Sequence, residues 1–172
     1  MTTHSEPLVV HPIGWVESSL NDLAAAPKQG NEGAPDAWLV FNPDVAAGLR
    51  DLRIGTEILV LTWLDRGRRD VLTVHPRGDT TRDERGVFST RSPNRPNPIG
   101  LHPVEIVSVD GTRLLVRNLE AIDGTPILDI KPLHAGQRPD AAASAAGHSV
   151  TRHDETAGIS SQTRADGRGL NH

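Results

Sequence analysis

IGLHPVEIVSVDGTRLLVRNLEAIDGTPILDIKPL, residues 99–133, decides the fold class. Three β-rich runs are separated by Asp110-Gly111 and Asp123-Gly124. An Asp-Gly pair between apolar runs signals a hairpin, because glycine accepts the positive φ that tight turns require. Upstream, residues 87–90 are β-like, and VLTVH (71–75) reads as a strand closed by Pro76. TEILVLTWL (56–64) is the strongest strand signal in the chain, and AWLVF (37–41) reads as a short buried strand. LVVHPIGWVES (8–18) reads as a first strand broken by Pro12 and Gly14. One short helical piece, VAAGLRDL (45–52), follows Asn42-Pro43-Asp44 and ends near Ile54-Gly55. No strand precedes a long amphipathic helix and no GxGxxG occurs, which argues against a dinucleotide-binding α/β fold. Short strands joined by Gly/Pro turns predict a mainly β domain, a small antiparallel barrel with one short helix.

Composition narrows the classes. The 172 residues contain 36% hydrophobic side chains, no cysteine and five aromatics, so Val, Leu and Ile must build the core. Without cysteine there is no disulfide, thiolate metal site or cysteine nucleophile. No run approaches the ~18–20 apolar residues of a membrane span. MTTHSEPLVV lacks a basic segment followed by a long apolar one, so no secretory signal is expected and the expected location is cytoplasmic. Residues 1–7 are expected to be flexible, 8–134 to form the barrel, and 135–172 to be a disordered tail. The tail is small and polar, with only Val150, Ile159 and Leu170 as bulky residues.

Charge is unevenly spread. The net charge is −4, yet residues 66–95 hold eight arginines against four acids, while residues 1–65 carry a net −6. Arginine suits planar phosphate and carboxylate recognition. In the middle of this basic region lies RSPNRPNPIGL (91–101). Pro93, Pro96 and Pro98 fix φ, and they push Ser92, Arg95 and Asn97 towards extended backbone. A stiff loop presenting Arg91, Ser92, Arg95 and Asn97 is expected to bind something. Residues 20–37, with Pro27, Gly30, Gly33 and Pro35, form a second long loop of the kind that is often functional. In LEAIDGTPILDIKP (119–132), Asp123 caps a tight turn. Asp129 and Lys131, two apart on a strand, share a face as an ion pair or as a base and an anion clamp. His75 and His102 stand outside any ligand spacing, so no metal site is expected; they read as surface groups or polar groups near a site. Trp38 and Trp63 read as core residues rather than base-stacking platforms, and Phe88 reads as core with base stacking as the alternative.

GVFSTRSPNRPNPIGL (86–101), LEAIDGTPILDIKP (119–132) and Ala26-Pro27-Lys28-Gln29-Gly30 together closely resemble the TsaA/TrmO family, once called VirR-like. The resemblance covers roughly residues 8–133. It implies a small dimeric β-barrel that takes S-adenosyl-L-methionine as methyl donor. The implied reaction is methylation of N6 of N6-threonylcarbamoyladenosine at position 37 of tRNA. Donor contacts carried over are Pro27, Lys28, Gln29, Asp65, Arg66, Arg91, Leu101, Ile122, Asp123, Gly124 and Thr125. Asp123 and Asp129 are the candidate base or substrate clamp. Arg82, Arg85, Arg95, Asn97 and Lys131 are the expected substrate contacts. Two departures stand out. Better-known bacterial members carry His-Gln where this chain has Asp65-Arg66, and they have a further C-terminal domain in place of a thin tail. Three functions follow: a tRNA methyltransferase, the same donor site serving a small-molecule acceptor, or a donor-binding protein without catalysis.

Overall fold

The computed structural model describes residues 7–24 and 26–134. Eight strands form: β1 Gly14–Glu17, β2 Ala37–Phe41, β3 Glu57–Trp63, β4 Thr73–Val74, β5 Arg85–Gly86, β6 Ile99–Asp110, β7 Arg113–Val116 and β8 Pro126–Pro132. Six of them close a barrel in the order β1-β2-β7-β6-β3-β8, with antiparallel pairings. Closure removes the free sheet edges that short strands would otherwise expose. The expected tail (135–172) and residues 1–6 lie outside the described residues.

Alternation explains which way each side chain faces. Ile58, Val60 and Thr62 of β3 point inward, as do Gly100, His102, Val104 and Ile106 of β6. Leu39, Leu114, Val116, Leu119 and Ile127 complete a fully buried core. Burying each such aliphatic side chain stabilises the fold by about 1.5–3 kcal/mol. The Asp110-Gly111 turn joins β6 to β7, with Gly111 at φ 59°. Gly14 is needed for another reason: a Cβ there would lie 2.3 Å from the Val40 carbonyl oxygen. β1 meets β8 at two positions, Gly14 with Ile127 and Trp15 with Pro126. The seam continues as Val16 N–H donates to the Thr125 carbonyl (3.0 Å) and Gly124 N–H to the Val16 carbonyl (2.8 Å).

Several local expectations are corrected. The run 8–18 is a strand only at Gly14–Glu17. The helical piece is a 3₁₀ helix, Pro43–Leu49. Residues 87–89 form a 3₁₀ turn, because the preceding Arg85–Gly86 pairs with β4 and the chain then turns back. The run after Asp110-Gly111 stops pairing at Val116, and Asn118 adopts φ 57° shortly beyond. Trp38 and Trp63 sit at outward positions of β2 and β3, half-buried. Each stacks with an arginine, Arg113 over Trp38 at 4.7 Å and Arg69 over Trp63 at 5.3 Å. Phe88 is 79% exposed.

Antiparallel order sends the long connections to one rim. Residues 18–36, 64–98 and 117–125 all leave the barrel at the end where β1, β3 and β7 finish. The opposite end holds the Asp110-Gly111 hairpin and the 3₁₀ helix.

Candidate active site

The rim loops are stitched together. Lys28 Nζ donates to the Arg77 carbonyl (2.6 Å), and Arg77 pairs with Glu32 (3.0 Å), so the 18–36 and 64–98 connections hold one another. Asn118 N–H donates to Asp36 (3.2 Å) and Leu119 N–H to the Pro35 carbonyl (3.0 Å), tying in the third connection. Ser18 N–H donates to Asp123 Oδ1 (3.0 Å), and Asp123 N–H to the Leu20 carbonyl (2.7 Å). Pro27, Lys28, Gln29, Asp65, Arg66, Arg91 and the Ile122–Thr125 turn, spread over 99 positions of the chain, therefore all lie on connections at one end of the barrel.

Their environments differ. Lys28, Gln29, Asp65, Arg66, Arg91, Asp123 and Gly124 are exposed, and Pro27 is half-buried. Ile122 and Thr125 are buried, and the Thr125 hydroxyl donates to the Ile122 carbonyl (2.7 Å), so it braces the turn. Leu101 lies on the outer face of β6 opposite Leu61, beside the pair Ile99 and Trp63. Ile99 and Leu101 are 42% and 40% exposed.

The proline-rich loop is rigid, and its rigidity has a visible source. Arg95 is half-buried and turned into its own loop. Its Nε donates to the Ser92 carbonyl (2.7 Å), and its Nη2 donates to the Val87 carbonyl (2.8 Å) and the Thr90 carbonyl. Arg95 is thus a brace, not the outward-facing substrate contact expected from sequence. Asn97 is exposed. Arg68 N–H donates to Asn94 (3.0 Å), and a Cβ at Gly67 would lie 2.4 Å from the Pro93 carbonyl oxygen. Arg82 and Arg85 line an open cleft of about 380 Å³ with Pro76, Thr81 and Asp83. Arg82 is pinned by Asp79 (3.2 Å). The Thr81 hydroxyl, the Thr81 N–H and the Arg82 guanidinium together hold the Asp79 carboxyl below the usual aspartate range.

Asp129 and Lys131 are not brought to this rim. β8 runs away from the Asp123 turn, and Asp129 instead borders an apolar cleft of about 290 Å³ with Val45, Leu49, Leu52 and Ile130 at the opposite end. Its carboxylate is engaged by Lys131 Nζ (2.7 Å) and by Ile130 N–H (2.8 Å). The pair is a surface ion pair, and the expectation of a base at Asp129 with a substrate clamp at Lys131 is corrected on that geometry.

Sequence reasoning passed over a buried polar chain beneath the rim. Thr62 Oγ1 and His102 Nε2 lie 2.8 Å apart, and His102 Nδ1 and Glu120 Oε1 lie 2.7 Å apart. Thr62 is wholly buried and His102 nearly so, which corrects the surface reading of that histidine. His75 is near the rim, with Nδ1 2.9 Å from the Arg82 carbonyl. The sequence signal for the buried chain was a polar residue at an inward position of β3 and of β6, Thr62 and His102, and Glu120 on the connection after β7 gave none. Among the described residues no group of three or more His, Asp or Glu could hold a metal ion, and no helix is long and apolar enough to cross a membrane.

A mainly β barrel that gathers three motif-bearing loops on one rim defines a class of small ligand-binding β-barrel. Within that class, residues 15–137 match the model of the tRNA-methyltransferase O N-terminal domain, and the chain belongs to this family. An "S-adenosyl-L-methionine-binding protein" of Archaeoglobus fulgidus is 45% identical over 124 residues, covering 72% of this chain and 88% of that protein. A crystal structure of TrmO from Pseudomonas aeruginosa superposes with a TM-score of 0.61 at 28% identity, covering 78% of this chain and 60% of that one. A further TrmO crystal structure gives 0.62 at 28% identity, covering 80% and 61%. This chain thus spans about 60% of the length of the solved TrmO chains.

Proposed function

We propose that the chain is an S-adenosyl-L-methionine-dependent methyltransferase acting on N6 of N6-threonylcarbamoyladenosine at position 37 of tRNA. The observation that carries this reading is the convergence of the Pro27–Gln29 loop, Asp65-Arg66, Arg91 and the Ile122–Thr125 turn on one rim, in a chain of the tRNA-methyltransferase O family. The side chains present suit the donor. Lys28, Arg66 and Arg91 offer cations for a carboxylate, and the exposed Asp123 offers an acceptor for N–H groups. When bound, the donor supplies a methyl group on a sulfonium, which is already activated for transfer.

The chain's own residues then have to bind and align. The proline-rich loop, locked by Arg95, fixes Arg91 and Asn97 relative to the barrel. Asp123, held by Ser18 N–H, stands at the rim as the clamp or proton acceptor for the acceptor nitrogen. Arg82 and Arg85 face outward at the open cleft, where phosphates would sit, and Asn97 is exposed on the proline-rich loop as a further substrate contact. The apolar outer pairs Leu61–Leu101 and Trp63–Ile99 suit a second copy of the chain, so the reading includes a cytoplasmic homodimer.

The test is methyl transfer to bulk tRNA from cells lacking this gene, followed by digestion and detection of the methylated nucleoside. Labelled product supports the reading, and donor binding without product refutes tRNA as acceptor. Arg91→Ala is expected to weaken donor binding about 10- to 100-fold, the worth of a charge-assisted hydrogen bond. Arg82→Ala with Arg85→Ala is expected to weaken tRNA binding and flatten its salt dependence without changing donor affinity. A second reading, a donor-binding protein serving a small-molecule acceptor or none, is favoured by a relative named for donor binding alone, the S-adenosyl-L-methionine-binding protein of Archaeoglobus fulgidus.

A further inference from the structure

Thr62, His102 and Glu120 come from β3, β6 and the connection after β7, and they form one hydrogen-bonded line from the barrel interior to the rim. Such a line is costly. Thr62 and His102 take inward positions in a barrel whose core cluster is otherwise apolar, and a buried polar chain contributes little over well-packed hydrophobic residues. The surroundings are shaped around it. A Cβ at Gly100 would lie 2.4 Å from Thr62 Oγ1 and 2.6 Å from His102 Nε2; Gly30 is packed against the Asn118 carbonyl oxygen, 2.2 Å from where its Cβ would be, with Glu120 Oε2 3.2 Å away.

The line has one outlet. The His102 side chain is 5% exposed and that of Glu120 19%. His102 holds Glu120 Oε1, and Glu120 Oε2 has no hydrogen-bond partner among the described residues. That oxygen faces Gly30, next to Lys28 and Gln29. A fixed carboxylate oxygen on a rim whose loops also carry Lys28, Arg66 and Arg91 is a charge pattern that suits an α-amino acid: cations for its carboxylate, an anion for its ammonium.

We infer that Glu120 Oε2 accepts a hydrogen bond from the α-ammonium of the bound methyl donor, with His102 and Thr62 as positioning residues that fix the carboxylate. This rests on the donor-site reading above. His102 acts through Glu120. With Nε2 satisfied by the Thr62 hydroxyl, the ring cannot swing, and Nδ1 stays on Oε1.

The probes are S-adenosylmethionine, S-adenosylhomocysteine and 5′-methylthioadenosine, the last lacking the amino-acid part. Each is titrated by calorimetry into the wild-type chain, Glu120→Gln and Thr62→Val, with thermal unfolding of all three proteins alongside. In Glu120→Gln the His102 N–H takes the amide oxygen and leaves the NH₂ facing the ligand ammonium, donor against donor. The inference requires at least tenfold weaker binding of the two ammonium-bearing ligands, unchanged affinity for methylthioadenosine, and a smaller loss in the same direction for Thr62→Val. Unchanged affinity for S-adenosylmethionine in Glu120→Gln overturns it, and so does equal weakening of all three ligands, which would mark a structural role only. Failure of the wild-type chain to bind S-adenosylmethionine would instead bring down the donor-site reading, and this inference with it.

Discussion

Gly100→Ala should be costly although Gly100 has ordinary strand backbone. The added methyl would lie 2.4 Å from Thr62 Oγ1, 2.6 Å from His102 Nε2 and 3.2 Å from Leu64 Cδ2. The first two separations are far inside van der Waals contact, so something must move. Thr62 is wholly buried and stiff at χ1, and rotating it breaks its 2.8 Å contact with His102. His102 is held at its other nitrogen by Glu120 at 2.7 Å, so tilting the ring breaks that bond instead. Overpacking costs about 1–3 kcal/mol, and a buried polar group left unpaired costs about 1–3 kcal/mol more. Replacing glycine in a strand returns about 0.5–1 kcal/mol. The net expectation is a loss of about 2–4 kcal/mol, a fall in Tm of the order of 10 °C for a domain of this size. Urea unfolding reads the free energy, with an unchanged m value showing that the two end states are the same. Thr62→Ala removes the nearer of the two clashing atoms and leaves room for the His102 ring to shift, so the double variant should lose less than the two single losses together, by about 1 kcal/mol or more. A Gly100→Ala protein within about 0.5 kcal/mol of wild type, or a strictly additive pair, refutes the packing argument.

Gly14→Ala should cost about 3 kcal/mol or more, because its Cβ meets backbone atoms that cannot rotate away. Gly86→Ala, where a Cβ meets open space, should be nearly silent, and thermal melts of the pair check the contrast. Arg95→Lys keeps the charge but not the fork that reaches three carbonyls. Hydrogen exchange of the 87–98 loop should accelerate, and unchanged protection at Thr90 would count against the brace. Asp79 titrates below the ordinary aspartate value because Thr81 and Arg82 hydrogen-bond its ionised form. Its contribution to the 79–82 turn is therefore present above the unfolded-state value and is lost as pH falls through the lowered folded value. An NMR titration of its carboxyl carbon should show this low midpoint, and Thr81→Val should raise it.

What could be read from the chain was local, and what could not was long-range. Asp110-Gly111 announced its hairpin because the turn needs a residue free to take positive φ, and Gly111 takes it. AWLVF was legible as a strand, yet every residue in it is apolar, so composition could not say that Leu39 faces in and Trp38 out. The same ambiguity misplaced Trp63. Asp123 and Asp129 look equivalent in LEAIDGTPILDIKP until the fold sets the second beside the cleft lined by Val45, Leu49 and Leu52 of the 3₁₀ helix and its end. Thr62, His102 and Glu120 are 40 and 18 positions apart, and no periodicity links them. The motif loops were legible as motifs, but their meeting at one rim depends on the strand order.

The closing seam gives the cylinder a latch. On its β8 side β1 is paired at two positions, and towards the rim it is fastened through Val16 to the backbone of Gly124 and Thr125 and through Ser18 N–H to Asp123. Under the proposed donor site, those are residues at which a ligand of the rim would press. Whatever grips the Ile122–Thr125 turn therefore also keeps the first strand from peeling away, so affinity gained at the mouth reappears as slower fraying of the N-terminal strand. In the free protein the Val16 amide reports whether the door is shut, which makes one exchange rate a gauge of occupancy that needs no catalysis.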